Sequence, residues 1–252
     1  MTNAHTNDRL QKLLAQVGLG SRREIEGWIT EGRVRLNGRL AVLGDRAGLS
    51  DRIQVDGRVV RLVHKPGLTR RRVYMYHKPS GEVCSRKDEE GRMTIFERLP
   101  RLRGERWISV GRLDLNTCGL LLLTTDGDLA NQLMHPSNQI EREYAVRVLG
   151  EVSSESLHRL TTGIRLEDGI ASFATLKEAG GEGANHWYHV TVKEGRNRLV
   201  RRLWEAEGVT VSRLMRVRFG PLTLPPYLKV GQGRELEDRE VDMLFRALDT
   251  KA

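Results

Sequence analysis

Residues 110–128 read VGRLDLNTCGLLLLTTDGD. Leu120 to Leu123 form the longest apolar run of the chain, and the stretch Gly119 to Thr124 reads as a strand. Just ahead of it, Arg112 and Asp114 lie two apart, so on an extended strand they share a face. Gly111 and Gly119 permit close approach of a ligand or of another backbone segment. An acidic residue between a strand and a glycine-flanked loop is well placed to act in a cleft. As a bare pattern, the same residues also fit an ordinary turn carrying a surface ion pair.

Around this stretch the pattern alternates. Val73 to Tyr76, Tyr144 to Val148, Trp187 to Val192 and Leu214 to Phe219 read as strands, and Asp128 to Met134, Ser153 to Leu160 and Arg198 to Glu207 read as helices. No fixed-period repeat and no low-complexity tract interrupts them. A mixed α/β or α+β sheet domain is the expectation.

The N-terminal region reads differently. Leu10, Leu13, Leu14 and Val17 recur at helical spacing, and Gly18 and Gly20 stop that helix. Ser21-Arg22-Arg23-Glu24 has the capping-box pattern, after which Ile25, Trp28 and Ile29 share a helical face. Val34 and Leu36 precede Asn37-Gly38, and Ile53 and Val55 precede Asp56-Gly57, two signals for tight hairpins. Two adjacent arginines at a helix N-terminus suit phosphate, since guanidinium forks and free amides point the same way. They also fit a capped surface helix whose arginines face only water.

Charge separates the same two regions. Of the 42 Lys and Arg and 33 Asp and Glu in the 252-residue chain, residues 1 to 72 hold 15 and 7, a net of +8 that leaves +1 for the rest. Basic charge concentrated in a small segment favours a polyanionic partner over an acidic small molecule. The stretch HKPGLTRRR, residues 64–72, mixes Pro and Gly with a basic run and reads as a linker. Cys84 and Cys118 form neither a disulfide framework nor a metal-ligand spacing, which fits a reducing cytoplasm. The start lacks the apolar core of a signal peptide, and no run is long enough to span a bilayer, so a cytoplasmic chain is expected. GxGxxG, GxxxxGK[ST], HExxH and GxSxG are all missing, so the chemistry is expected to come from common side chains with no cofactor and no metal.

The segment RLQKLLAQVGLGSRREIEGWITEGRVRLNG, residues 9–38, resembles the S4 RNA-binding domain. Beyond it, HKPSGEVCSRKDEEGR, GRLDLNTCGLLLLTTDGDLANQLMHPS, REYAVRV and EGRNRLVRRLWEAEG resemble, in order, the motifs of the RsuA-type pseudouridine synthases. Residues 102–127 and REYAVRV most resemble the branch of that family that modifies 23S ribosomal RNA near the peptidyl-transferase centre. The resemblance implies an α+β protein: a small S4 (α-L-like) domain at 7–66, a linker at 67–73, and a catalytic domain at 74–252. The catalytic domain would have a mixed, mainly antiparallel sheet flanked by helices.

It also implies roles. Asp114 would be the nucleophile or base that breaks the glycosidic bond, Tyr144 would face the uracil ring, and Arg201 would pair with the aspartate. Val200 would lie beneath the uracil, with Arg112 and Arg198 also meeting substrate. Relatives often carry a polar residue where this chain has Leu199. Lys78, Pro79 and Gly81 would support the site, and Arg9, Lys12, Ser21, Arg22, Arg23 and Arg33 would lie on RNA backbone. His77, His135 and His189 sit in unlike contexts and receive no role. The implied partner is ribosomal RNA, 23S or a large-subunit precursor, with no membrane and with a monomeric protein. The competing readings are a noncatalytic S4-type RNA-binding or assembly factor, which would need none of Asp114, Tyr144 and Arg201, and a small-subunit ribosomal RNA pseudouridine synthase. An S4-containing methyltransferase would need a Gly-rich loop after a strand, which the sequence lacks.

Overall fold

The computed structural model describes residues 7–62, 71–102 and 105–249. Contacts divide the chain into two units, Met1–Arg70 with Arg101–Arg106, and Arg71–Pro100 with Trp107–Ala252. Most of the expected linker, including 67–70, falls outside the described residues.

Unit 1 holds helices α1 (Leu10–Gln16) and α2 (Arg22–Thr30). The first helix starts at Leu10, the first of its spaced apolar residues, and Asp8 and Arg9 ahead of it pair as a short strand with Ala47 and Arg46. At α2 the Ser21 hydroxyl accepts from the Glu24 amide at 3.1 Å, and the Glu24 carboxylate accepts from the Ser21 amide at 2.7 Å, so the capping box closes both ways. Strands β1 (Val34–Leu36) and β2 (Arg39–Leu40) turn at Asn37-Gly38, and β3 (Ile53–Val55) and β4 (Arg58–Val60) turn at Asp56-Gly57. All four turn residues have positive φ, from 49° to 87°, as a two-residue hairpin twisted with its strands requires. Leu10, Leu14, Ile25, Ile29, Val34 and Ile53 bury between helices and hairpins. Arg106 was not legible as part of this unit; its guanidinium donates to the Gly20 carbonyl at 2.7 Å.

Unit 2 is built on a nine-stranded sheet. Its elements in chain order are β5 (Val73–Lys78), β6 (Ile108–Val110), β7 (Cys118–Thr124), α3 (Gly127–Met134), β8 (Arg142–Leu149) and α4 (Ser154–Thr162). They continue with β9 (Thr175–Glu182), β10 (Asn185–Val192), α5 (Leu199–Ala206), β11 (Thr210–Phe219), β12 (Gly233–Glu235) and α6 (Asp238–Asp249). Along the sheet the order is β9-β10-β8-β11-β7-β5-β12, with β6 on β7 and Leu222–Thr223 on β11. Every pair is antiparallel except β11 with β7, which run parallel through Met215↔Cys118 and Arg216↔Gly119. This is the mixed, mainly antiparallel sheet that the resemblance implies.

That parallel seam joins two half-cores. On one side Val146, Val190, Val211 and Leu214 of the sheet pack with Leu160 of α4 and with Leu203 and Trp204 of α5. On the other, Val73, Met75, Leu120 and Leu122 pack with Leu129 and Leu133 of α3 and Leu244 of α6. Among the described residues, no helix is long and apolar enough to cross a membrane.

At the seam the two strands approach closely at Gly119, which has φ +105°; a Cβ there would stand 2.3 Å from the Arg216 carbonyl oxygen. Gly119→Ala should therefore lower the unfolding free energy by about 3 kcal/mol, through overlap and backbone strain together. In contrast, Gly27 lies inside α2 with nothing near its missing Cβ, and Gly27→Ala should raise stability by about 0.5 to 1 kcal/mol. Urea unfolding of the full chain reads both, and a harmless Gly119→Ala would show that the seam tolerates separation.

Candidate active site

Between β6 and β7 the chain runs through residues 111–117 without strand pairing, so Arg112 and Asp114 are carried by a loop and not by a strand as their spacing suggests. This loop is held by its carbonyls. The Cys84 thiol meets the Leu113 oxygen at 3.4 Å, and Lys78 Nζ donates to the Asp114 and Thr117 oxygens at 3.2 and 3.0 Å. The Gly81 amide donates to Leu115 at 2.8 Å, and Arg201 Nη2 donates to Asn116 at 2.9 Å. The Thr117 amide closes the turn onto Asp114 at 3.0 Å.

Lys78 is fully buried. Burial pushes its ammonium below the usual lysine range, and its third donor goes to the Pro79 oxygen at 2.9 Å, so backbone dipoles alone satisfy it. The expected support role of Lys78, Pro79 and Gly81 thus has a geometry: β5 ends under the loop and grips it. Burial likewise pushes the Cys84 thiol up, which keeps the proton it needs to donate.

The loop edges a cavity of about 490 Å³. Asp114, Arg112, Tyr144, Val200 and Arg198 all line it, so five of the anticipated residues converge. Tyr144 comes from β8, on the sheet face that looks into the cavity, and Val200 from the first turn of α5. Arg198 caps that helix with a left-handed φ of 48° and reaches Glu205 at 3.2 Å. Leu199 is buried in the core with Leu203 and Trp204, which accounts for an apolar residue there.

Among the described residues the Asp114 carboxylate makes no hydrogen bond or ion pair. Arg201 does not pair with it as expected: its Nη1 and Nη2 donate to the carbonyls of Val211, at 3.0 Å, and Asn116. Burial and then Arg198 pull the Arg201 guanidinium down, while Asp114 acts on it in the opposite sense. Arg201 thus holds the loop and lends the aspartate a positive field without touching it. Two further residues, Arg142 and Arg216, line the cavity and are not singled out by the sequence. Nothing in their spacing marks them, because they meet only when β8 and β11 pair. His77 is bonded to the Leu228 carbonyl and His189 to Glu143, so neither faces the cavity chemistry. His135 Nδ1 meets the hydroxyl and the amide of Ser137.

In unit 1, Arg9, Arg22 and Arg23 are exposed. Ser21 is spent on its cap, and Lys12 pairs with Asp8 at 3.2 Å. Arg33 is committed as well: it binds both Asp56 carboxylate oxygens, at 2.8 and 2.7 Å, reaches Glu31 at 3.3 Å, and stands 5.1 Å from the Trp28 ring. A bidentate pair over an aromatic ring braces the second hairpin, so Arg33 is a poor free cation for phosphate.

A helix-and-hairpin unit is followed in the chain by a mixed sheet whose parallel seam adjoins a carboxylate-bearing loop, and the comparisons place that combination in a class of RNA-modifying proteins. Residues 72–206 match the family model described as RNA pseudouridylate synthase, and residues 8–53 match the S4 domain. The chain belongs to the RNA pseudouridylate synthase family. It is 58% identical over 245 residues to "Ribosomal large subunit pseudouridine synthase B" of Pseudomonas aeruginosa, covering 97% of this chain and 63% of that protein. The protein of the same name from Escherichia coli K12 is 56% identical over 240 residues, covering 94% of this chain and 82% of its own length. A crystal structure of a pseudouridylate synthase superposes with a TM-score of 0.65 at 28% identity, over 94% of this chain and 99% of that one.

Lys78→Met should test the hold on the loop. Three carbonyls lose a charged donor while staying buried, so unfolding free energy should fall by about 3 to 5 kcal/mol, measured by urea unfolding. A loss below about 1 kcal/mol would mean that the loop does not depend on Lys78.

Proposed function

We propose that the chain isomerises uridine to pseudouridine in large-subunit ribosomal RNA, in the cytoplasm, with Asp114 as the reacting carboxylate. The observation that carries this reading is the state of the cavity's carboxylates. Glu194 is taken up by Arg196 at 2.7 Å, whereas Asp114 stands unpaired on an immobilised loop opposite Tyr144 and Val200. A carboxylate without a cation partner, on a loop whose backbone cannot drift, is free to act on a sugar carbon or proton.

The reaction needs three things from the protein. A uridine must leave its stack, at a cost of a few kcal/mol, and find a flat partner and an apolar floor; Tyr144 and Val200 supply these. Asp114 then adds to C1′ or withdraws the C2′ proton as the N1–C1′ bond breaks. The freed uracil turns and C5 bonds to C1′ as the Asp114–C1′ bond breaks or, on the elimination route, as Asp114 returns the proton to C2′; the C5 proton is then lost while N1 gains one, so atoms balance with no redox step. In this reading the Tyr144 hydroxyl, which lines the same cavity, handles the C5 proton. Arg201 keeps the local field positive during the charged stages. Exposed Arg9, Arg22 and Arg23 of unit 1 are suited to RNA phosphates and supply affinity without chemistry. The high identity to large-subunit synthases of two bacteria favours 23S RNA over the small-subunit alternative.

Asp114→Asn should abolish pseudouridine formation on 23S RNA and leave affinity within about threefold, since the amide keeps shape and loses the reactive charge. Pseudouridine mapping after incubation reads this, and measurable turnover by the variant would overturn the mechanism. Arg22→Ala with Arg23→Ala should weaken binding, and the slope of log affinity against log salt should fall by about 0.7 to 0.9 for each phosphate that is no longer neutralised. An unchanged slope would remove these arginines from the interface.

A further inference from the structure

We propose that Arg216, together with Arg142, forms a phosphate-binding subsite inside the catalytic cavity and holds a backbone phosphate at the nucleotide being isomerised. The proposal rests on the function proposed above and adds a substrate contact to that same site.

The subsite exists because β11 is irregular. Glu143 pairs with Arg218, but the next residue, Tyr144, pairs with Arg216, so the register shifts between them. In a regular strand, residues 216 and 219 would point to opposite faces. The bulge turns both Arg216 and Phe219 to the cavity, beside Arg142 and Tyr144 of β8. Arg216 therefore sits directly across from the tyrosine expected to face the base.

Arg216 is only 3% exposed, and its Nε donates to the Leu120 carbonyl at 2.7 Å. Its Nη2 is enclosed and has no hydrogen-bond partner. The Arg142 guanidinium meets only the carbonyls of Lys193, at 3.2 Å, and Leu133, at 3.5 Å. The two guanidinium carbons stand 5.3 and 5.4 Å from one Phe219 ring. Neither has a carboxylate partner among the described residues; of the cavity's other cations, Arg196 and Arg198 are paired with Glu194 and Glu205, and Arg112, which also has no carboxylate partner, is exposed to water. Burial, and then the charge of Arg216, weigh against the protonated form of Arg142.

A buried donor without an acceptor and two adjacent cations without an anion are both unfavourable. A uracil carbonyl would meet the first need and leave the second. A phosphodiester meets both, since its oxygens accept from a guanidinium fork and its charge offsets the pair. Bracing Leu120 uses one of five donors on Arg216 and explains neither feature.

Phosphate-ethylation interference tests this whichever uridine is the target. Transcribed 23S RNA, ethylated at random phosphates so that each loses its charge, is incubated with the full-length protein, and modified molecules are separated from unmodified ones. With the wild type, ethylation at a phosphate within one nucleotide of the new pseudouridine should reduce modification about tenfold or more. With Arg216→Met, interference at that phosphate should vanish while interference elsewhere persists, which also reports an intact fold. Arg216→Lys keeps the cation and loses the fork, and should show the interference reduced. The proposal is overturned if no phosphate beside the modified uridine interferes with the wild type. It is overturned equally if the pattern is the same in the wild type and both variants. A wild type that formed no pseudouridine would remove the proposed function itself. The ethylated RNA selected by binding alone would then judge the subsite separately, and an Arg216→Met pattern identical to the wild type would overturn it.

Discussion

Five consecutive peptide carbonyls, Leu113 to Thr117, accept hydrogen bonds from Cys84, Lys78, Gly81 and Arg201, and the position of the Asp114 carboxylate depends on that hold. A loop of this kind would ordinarily be mobile, because its backbone groups would exchange with water. Here the oxygens are tied to β5 and the turn after it through Lys78, Gly81 and Cys84, and to α5 through Arg201. The donors are long-range, with sequence separations of 29, 36, 39 and 85 residues in the side-chain bonds, so the loop cannot take shape before the sheet has assembled. Lys78 shows the converse dependence. An ammonium with no exposed surface is tolerable only because three carbonyls surround it, so removing either partner leaves an uncompensated group.

The arginines sort by what answers their charge. Arg33, Arg196, Arg198 and Arg202 are matched to carboxylates and serve the fold first. Arg201 is matched to carbonyls and serves the loop. Exposed Arg9, Arg22 and Arg23 stand in water, where a phosphate contact is screened by salt and releases counterions. Buried Arg142 and Arg216 stand where water does not screen, so an anion reaching them interacts strongly and at one position. Net charge locates the basic unit correctly and says nothing of this second, smaller set, because near-neutral totals hide local imbalance.

Short-range features were legible in the sequence. The capping box, the two hairpins at Asn37-Gly38 and Asp56-Gly57, and the strand of leucines all depend on residues within four positions of one another. Asp114, Tyr144 and Val200 were placed together through resemblance, since no spacing rule relates positions 114, 144 and 200. What escaped was long-range or irregular. Arg201 was expected to touch Asp114 and instead grips Asn116, a choice set by where α5 docks. Arg33 was counted among RNA contacts because its partner Asp56 lies 23 residues away across a hairpin. Arg142 and Arg216 became neighbours only through a bulge that no propensity marks. The helix Asp238–Asp249 is a different case: Val241, Leu244, Phe245 and Leu248 recur at helical spacing and pack against the core, so a local signal exists there although the segment was not among the expected helices.

The irregular features cluster where the chemistry is expected. Gly119 takes φ +105° at the seam, Arg198 takes a left-handed φ before α5, and β11 shifts register beside Tyr144. Gly119 adopts its φ without penalty because it has no Cβ, whereas the left-handed Arg198 costs about 1 to 2 kcal/mol and the shifted register breaks the ladder beside Tyr144. Regular alternatives would deprive the site of its shape. A residue with a Cβ at 119 would push β7 from β11 and draw the loop away from the sheet. An unshifted β11 would turn either Arg216 or Phe219 away from the cavity. A helical Arg198 would change how the first turn of α5 presents Val200. The favourable burial on both sides of the seam, with Trp204 in one half-core and the run Leu120 to Leu123 beside the other, is what keeps these irregular points in place. Stability is thus concentrated in the regular strands and helices, and the seam between them holds a carboxylate, an aromatic ring and two buried cations without a carboxylate partner around one cavity.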